Sequence, residues 1–121
     1  MAIKKSFKVL PIQDQIIEKY IQDDESITFY TKEHSYLMYH EQDCCERVTL
    51  EEIIGDLDDL LNTPLLKAEV RTNNLSPKPR ENDSTLWTFY EFATIKGSVT
   101  LRWFGSSNGY YSVKVKFRQL T

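Results

Sequence analysis

Two turn signals, Lys96-Gly97 and Ser107-Asn108-Gly109, punctuate the last third of the chain between runs of alternating aromatic and β-branched residues. Glycine-bearing loops of two or three residues join antiparallel strands and fix their register. With Lys96-Gly97 as a loop, Ile95 stands opposite Ser98; with Ser107-Asn108-Gly109 as a loop and Gly109 left-handed, Ser106 stands opposite Tyr110. A three-strand meander is predicted. One face then collects Tyr90, Phe92, Val99, Leu101, Trp103, Val113, Val115 and Phe117, a core face. The opposite face aligns Glu91, Arg102 and Lys114, a charge ladder worth a few tenths to about 1 kcal/mol per pair, and beyond it gathers Trp87, Phe89, Phe104 and Tyr110. A helix covers that aromatic end, or it is an exposed patch that marks a partner site, a homodimer interface included.

Upstream, Ile27 to Thr31 and Tyr36 to His40 are β-rich runs joined by Lys32-Glu33-His34-Ser35, which read as a hairpin. Thr49 to Leu61 reads as a helix, because Ile53, Ile54, Leu57, Leu60 and Leu61 fall on one apolar stripe and Thr49 with Glu52 fits a capping box. Gly55 in its middle would cost roughly 1 kcal/mol relative to Ala, and Asp58 and Asp59 oppose the helix dipole; together they suggest a break between two short helices. Residues 12 to 21 fit both periods, and the turn-like stretch from Gln22 to Ser26 favours a strand. Residues 72–84, with Pro77 and Pro79, read as a long loop. The expected fold is therefore α+β, an antiparallel sheet made of the N-terminal hairpin and the C-terminal meander with one central helix or helix pair. Residues 1–121 suffice for one domain.

The net charge of -3 conceals a segregation along the chain. Residues 1 to 12 carry only Lys4, Lys5 and Lys8, residues 13 to 62 hold fourteen acids against Lys19, Lys32 and Arg47, and residues 63 to 121 hold nine bases against four acids. Such asymmetry bears on partners and association rather than on fold. No stretch approaches the roughly 18 to 20 apolar residues of a membrane helix, and the opening residues lack a signal peptide's apolar run, so a soluble cytoplasmic protein is expected.

The densest cluster of chemically capable side chains is His40-Glu41-Gln42-Asp43-Cys44-Cys45-Glu46. Zinc needs about four ligands, and only His34 could supplement His40, Cys44 and Cys45; a Cys/His nucleophile pair lacks a third, orienting group. Adjacent cysteines sit closer than an ordinary disulfide spans, which points to free thiols packed as small hydrophobes in a reducing compartment. There is no phosphate-cradling glycine loop, nucleophile elbow, HExxH or EF-hand pattern. No catalytic residue, metal or cofactor is expected. Lys114, Lys116 and Arg118 alternate with Val113, Val115 and Phe117, and with Arg102 they could form a basic face that tracks phosphates. The isoelectric point near 5.4 opposes direct nucleic-acid binding.

The motifs Asp43-Cys44-Cys45-Glu46, Gly55-Asp56-Leu57-Asp58-Asp59-Leu60, Trp87-Thr88-Phe89-Tyr90 and the run from Arg102 to Ser112 give the chain its one family likeness. Over residues 27 to 118 it resembles a family of small phage and prophage proteins of unknown function. The resemblance implies a mobile-element origin, and small acidic phage proteins include inhibitors of host defence such as anti-CRISPR proteins. The expectation is thus a non-enzymatic protein that occupies the basic nucleic-acid groove of a CRISPR effector nuclease. Glu51, Glu52, Asp56, Asp58 and Asp59 would stand in for phosphates, with Trp87, Phe89, Phe104 and Tyr110 as an aromatic anchor. Charge reversal at Asp56, Asp58 and Asp59 is expected to abolish binding without disturbing the fold. The alternative is a nucleic-acid-binding accessory protein using Arg102, Lys114, Lys116 and Arg118.

Overall fold

The computed structural model describes residues 7–74 and 83–121, which form two antiparallel sheets packed face to face. The strands are β1 (Phe7–Val9), β2 (Ile17–Gln22), β3 (Ser26–Thr31), β4 (Ser35–Tyr39), β5 (Arg47–Ile54), β6 (Lys67–Asn73), β7 (Ser84–Thr94), β8 (Gly97–Ser107) and β9 (Lys116–Gln119). Five make one sheet in the order β1-β6-β7-β8-β5 and four make the other in the order β2-β3-β4-β9. The inner faces meet through aromatic and aliphatic side chains. Phe29 of β3 lies 5.5 Å from Phe92 of β7, and the indole N–H of fully buried Trp103 donates to the Met38 sulfur at 3.3 Å. Each large side chain so buried contributes about 1.5–3 kcal/mol relative to exposure.

The predicted core face is present: Tyr90, Phe92, Val99, Leu101, Trp103 and Val113 are buried, and Val115 and Phe117 pack partly buried against them. The β3–β4 hairpin is as expected, with Ile27 opposite Met38 and Phe29 opposite Tyr36. Of the ambiguous run from 12 to 21, residues 17 to 21 are strand, within β2. Of the predicted long loop, Thr72 and Asn73 belong to β6 and Ser84 to β7, and residues 75–82 lie outside the described residues.

The α+β expectation is wrong, because the predicted central helix is β5 followed by a 3-10 turn at Leu57–Leu60, the only helical element among the described residues. β5 alternates as a strand, with Val48 and Leu50 inward, until a bulge between Leu50 and Glu52 moves the register by one and Ile53 turns inward instead. That one-residue slip, added to the Leu57/Leu60 spacing of the 3-10 turn, imitates a helical stripe. Thr49 does not cap a helix; its hydroxyl donates to Glu51 at 2.9 Å. Gly55 closes the strand at φ +111, where an added Cβ would stand 2.4 Å from the Ser98 carbonyl oxygen.

The meander also needs correction. Its first loop is Ile95-Lys96, with Thr94 opposite Gly97, one residue earlier than read; each face keeps its residues. The Thr94 hydroxyl donates to the Asp59 carbonyl and accepts from the Lys96 N–H, and the Lys96 ammonium donates to the Leu61 carbonyl at 2.7 Å, so the 3-10 turn fixes this loop. The third strand leaves the sheet. β9 pairs with β4, Phe117 opposite Met38, across the sandwich. The Glu91–Arg102–Lys114 ladder therefore does not form: β6 neighbours β7, and Glu91 pairs with Lys67 at 2.9 Å and Arg71 at 2.7 Å.

Candidate functional site

The segment between β4 and β5 folds around one carboxylate. Glu46 has no exposed side-chain surface. Its Oε2 accepts from the His40 ring at 2.8 Å and the Asp43 N–H at 2.9 Å, and its Oε1 from the Cys44 N–H at 2.9 Å and the Gln42 amide at 3.2 Å. Burial would raise its pKa, but the Cys44 and Asp43 N–H groups and His40 outweigh it and hold the carboxyl at about 2. Two donors on each oxygen fill its lone pairs, so this group is neither a general base nor a ligand for an incoming atom. The other ring nitrogen of His40 lies 2.7 Å from the Lys114 carbonyl. The cysteines are neither buried nor free: both are exposed, and they are joined to each other. His34 is remote, against the carbonyl of Thr121. Among the described residues no three His, Cys, Asp or Glu side chains converge as metal ligands.

The predicted partner-binding residues divide over several surfaces. On the outer face of the five-stranded sheet, Trp87 lies opposite Phe104 with ring centroids 4.6 Å apart, and Phe89 stacks on Trp87 at 6.4 Å. The Arg102 guanidinium covers the Trp87 ring at 5.1 Å and the Arg71 guanidinium covers Phe89 at 5.4 Å. Register carries this row to both edges: Phe7 opposite Arg71, Phe89 opposite Arg102, and Arg102 opposite Glu52 at 3.8 Å. Thr49 stands opposite Phe104, so Glu51 and Glu52 flank the aromatic cluster on the edge strand β5. Tyr110 is separate, 83% exposed and packed edge-on against Tyr111.

The remaining acidic candidates hold the fold together. Asp56 accepts from the Asp58 N–H at 2.9 Å and caps the 3-10 turn. Asp58 accepts from the Tyr20 hydroxyl at 2.8 Å, tying the two sheets and raising the Tyr20 pKa. Asp59 abuts Gly97. The basic candidates divide too: Arg102 is on the outer face just described, whereas Lys114, Lys116 and Arg118 line a cleft at the open side of the sandwich. Lys116 is paired with Glu41. Sequence reasoning missed Arg71, whose place over Phe89 follows from β6 being the neighbour of β7, and Glu46, whose burial nothing in a polar heptad announces.

Two antiparallel sheets packed over one aromatic core, with an outer face of aromatic rings and guanidinium groups, define an all-β protein. The chain belongs to a domain family of unknown function, DUF7448, whose model matches residues 7–117. No curated protein and no solved structure matches it. No helix among the described residues is long and apolar enough to cross a membrane.

Proposed function

We propose that the protein is a phage-type, non-enzymatic inhibitor that binds an RNA-guided nuclease of host defence, entering its basic nucleic-acid groove with the acidic edge of the five-stranded sheet. The observation that carries this reading is the continuity of Glu51 and Glu52 with the Trp87–Phe104 pair on one outer face. Aromatic and Arg side chains framed by charge are the composition of binding hot spots, and two exposed carboxylates beside them match a groove shaped for phosphates. Asp56 and Asp58 are excluded as probes, since their reversal would unseat the 3-10 turn and the Tyr20 tie.

The test is competition between this protein and guide RNA for purified RNA-guided nucleases, each freed of nucleic acid by digestion. Wild type displaces the guide. Glu51→Lys combined with Glu52→Lys weakens displacement at least tenfold with an unchanged melting profile, while Glu18→Lys with Asp24→Lys, exposed acids elsewhere, does not. Equal displacement by both double variants overturns the surface assignment. Association with RNA or DNA alone, weakening steeply with salt, replaces it with the nucleic-acid reading.

A further inference from the structure

The sandwich is open along β9. On that side a cleft of about 780 Å³ runs between β9 and the inner face of β6 and β7, within the roughly 300–1,000 Å³ of small-molecule sites. Its walls are more apolar than polar, with Val70, Leu86 and Phe117 among them. Lys8, Lys114 and Arg118 line it as well, and none of the three forms an ion pair among the described residues. The carboxylate at the same cleft, Glu41, is neutralised by Lys116. Inside, Thr88 is 1% exposed and its buried hydroxyl has no hydrogen-bond partner among the described residues, whereas the neighbouring Tyr90 hydroxyl donates to the Val115 carbonyl at 3.3 Å. A buried hydroxyl left unpaired is costly, and Thr88 is one of the residues that line this cleft.

We propose that this cleft binds an anionic amphiphile: an apolar chain between the sheets, a polar atom near its head on the Thr88 hydroxyl, and a carboxylate or phosphate among Lys8, Lys114 and Arg118. Apolar walls reject a fully hydrated ion, and the three cations reject a cationic chain of the same length. The site is separate from the outer face assigned above and stands or falls without it.

Calorimetric titration of the full chain tests this with decanoate below its micelle concentration, decyltrimethylammonium as the opposite charge, and decanol as the uncharged chain. Decanoate binds saturably at one per chain, and the cation at least tenfold more weakly. Leu86→Trp, which fills the cleft, abolishes binding. Thr88→Val keeps the side-chain shape; it weakens decanoate several-fold while raising the melting temperature of the free protein, a pairing of signs that a purely structural hydroxyl would not give. Lys114→Gln with Arg118→Gln weakens decanoate but not decanol. Sedimentation with phosphatidylglycerol vesicles distinguishes sources: decanoate binding without vesicle uptake supports a free amphiphile, and uptake lost in Leu86→Trp supports a bilayer lipid. No saturable decanoate binding, equal binding of the cation, or binding indifferent to Leu86→Trp and Thr88→Val overturns the proposal.

Discussion

Glu46 converts a run of reactive residue types into a structural knot, and its cost and benefit are both electrostatic. Burial works against the ionised carboxyl; the Cys44 and Asp43 N–H groups and His40 more than offset it and bring the pKa from 4.5 to about 2. Between those values the unfolded chain binds a proton that the folded chain does not, so this group stabilises the fold above about pH 4.5 and the benefit is lost as pH falls towards 2. Thermal melts from pH 6 to pH 2.5 are expected to show a falling melting temperature across that window. Glu46→Gln, which turns an amide NH2 towards existing donors, lowers stability at neutral pH and flattens the acid dependence; an acid limb unchanged in the variant counts against the assignment. Little of this was legible beforehand. His40, Cys44 and Cys45 stand out by residue type, but whether a carboxylate collects donors depends on how the turn from Gln42 to Glu46 aims its backbone, which side-chain chemistry does not encode.

Gly55 separates the two readings of the segment from Thr49 to Leu61 more sharply than any other position. In a helix, Gly55→Ala would stabilise by up to about 1 kcal/mol. At φ +111, with the Ser98 carbonyl 2.4 Å from the added Cβ, it is expected to destabilise by about 1–2 kcal/mol or more, read as a lower urea midpoint; a raised midpoint would favour the helix. Elements without irregularities were readable from the sequence: the β3–β4 hairpin, and the inner face of β7 and β8, where strict alternation survives. The helix was misread because a local deviation breaks the two-residue period. The bulge at Glu51 disguised a strand as a helix. Gly109 is left-handed at φ +94, as its turn signal implied, yet the chain beyond it does not return beside β8. It passes over Gly105, where a Cβ would stand 2.8 Å from the Val113 side chain. A glycine inside a strand is a recognised sign of close backbone approach, and Gly105 was the available clue.

Connectivity makes the two sheets one thermodynamic object. The chain passes from one sheet to the other between β1 and β2, back between β4 and β5, and again between β8 and β9, so neither sheet is a continuous stretch of sequence. Contacts across the gap repeat that dependence in side chains: Phe29 on Phe92, Trp103 on Met38 and Tyr20 on Asp58. The inter-sheet cleft therefore keeps its shape only while both sheets are packed, since each supplies one of its walls. A single cooperative transition is expected. In a Trp87→Phe background, where Trp103 is the remaining indole, the emission shift of Trp103 and the loss of far-UV dichroism should share one urea midpoint. Met38→Ala, which removes the thioether under Trp103, should lower both midpoints equally, by an amount equivalent to about 2–5 kcal/mol. A Trp103 transition that precedes the loss of strand signal would mean that the sheets part before they unfold, and would make the cleft a property of the closed form alone.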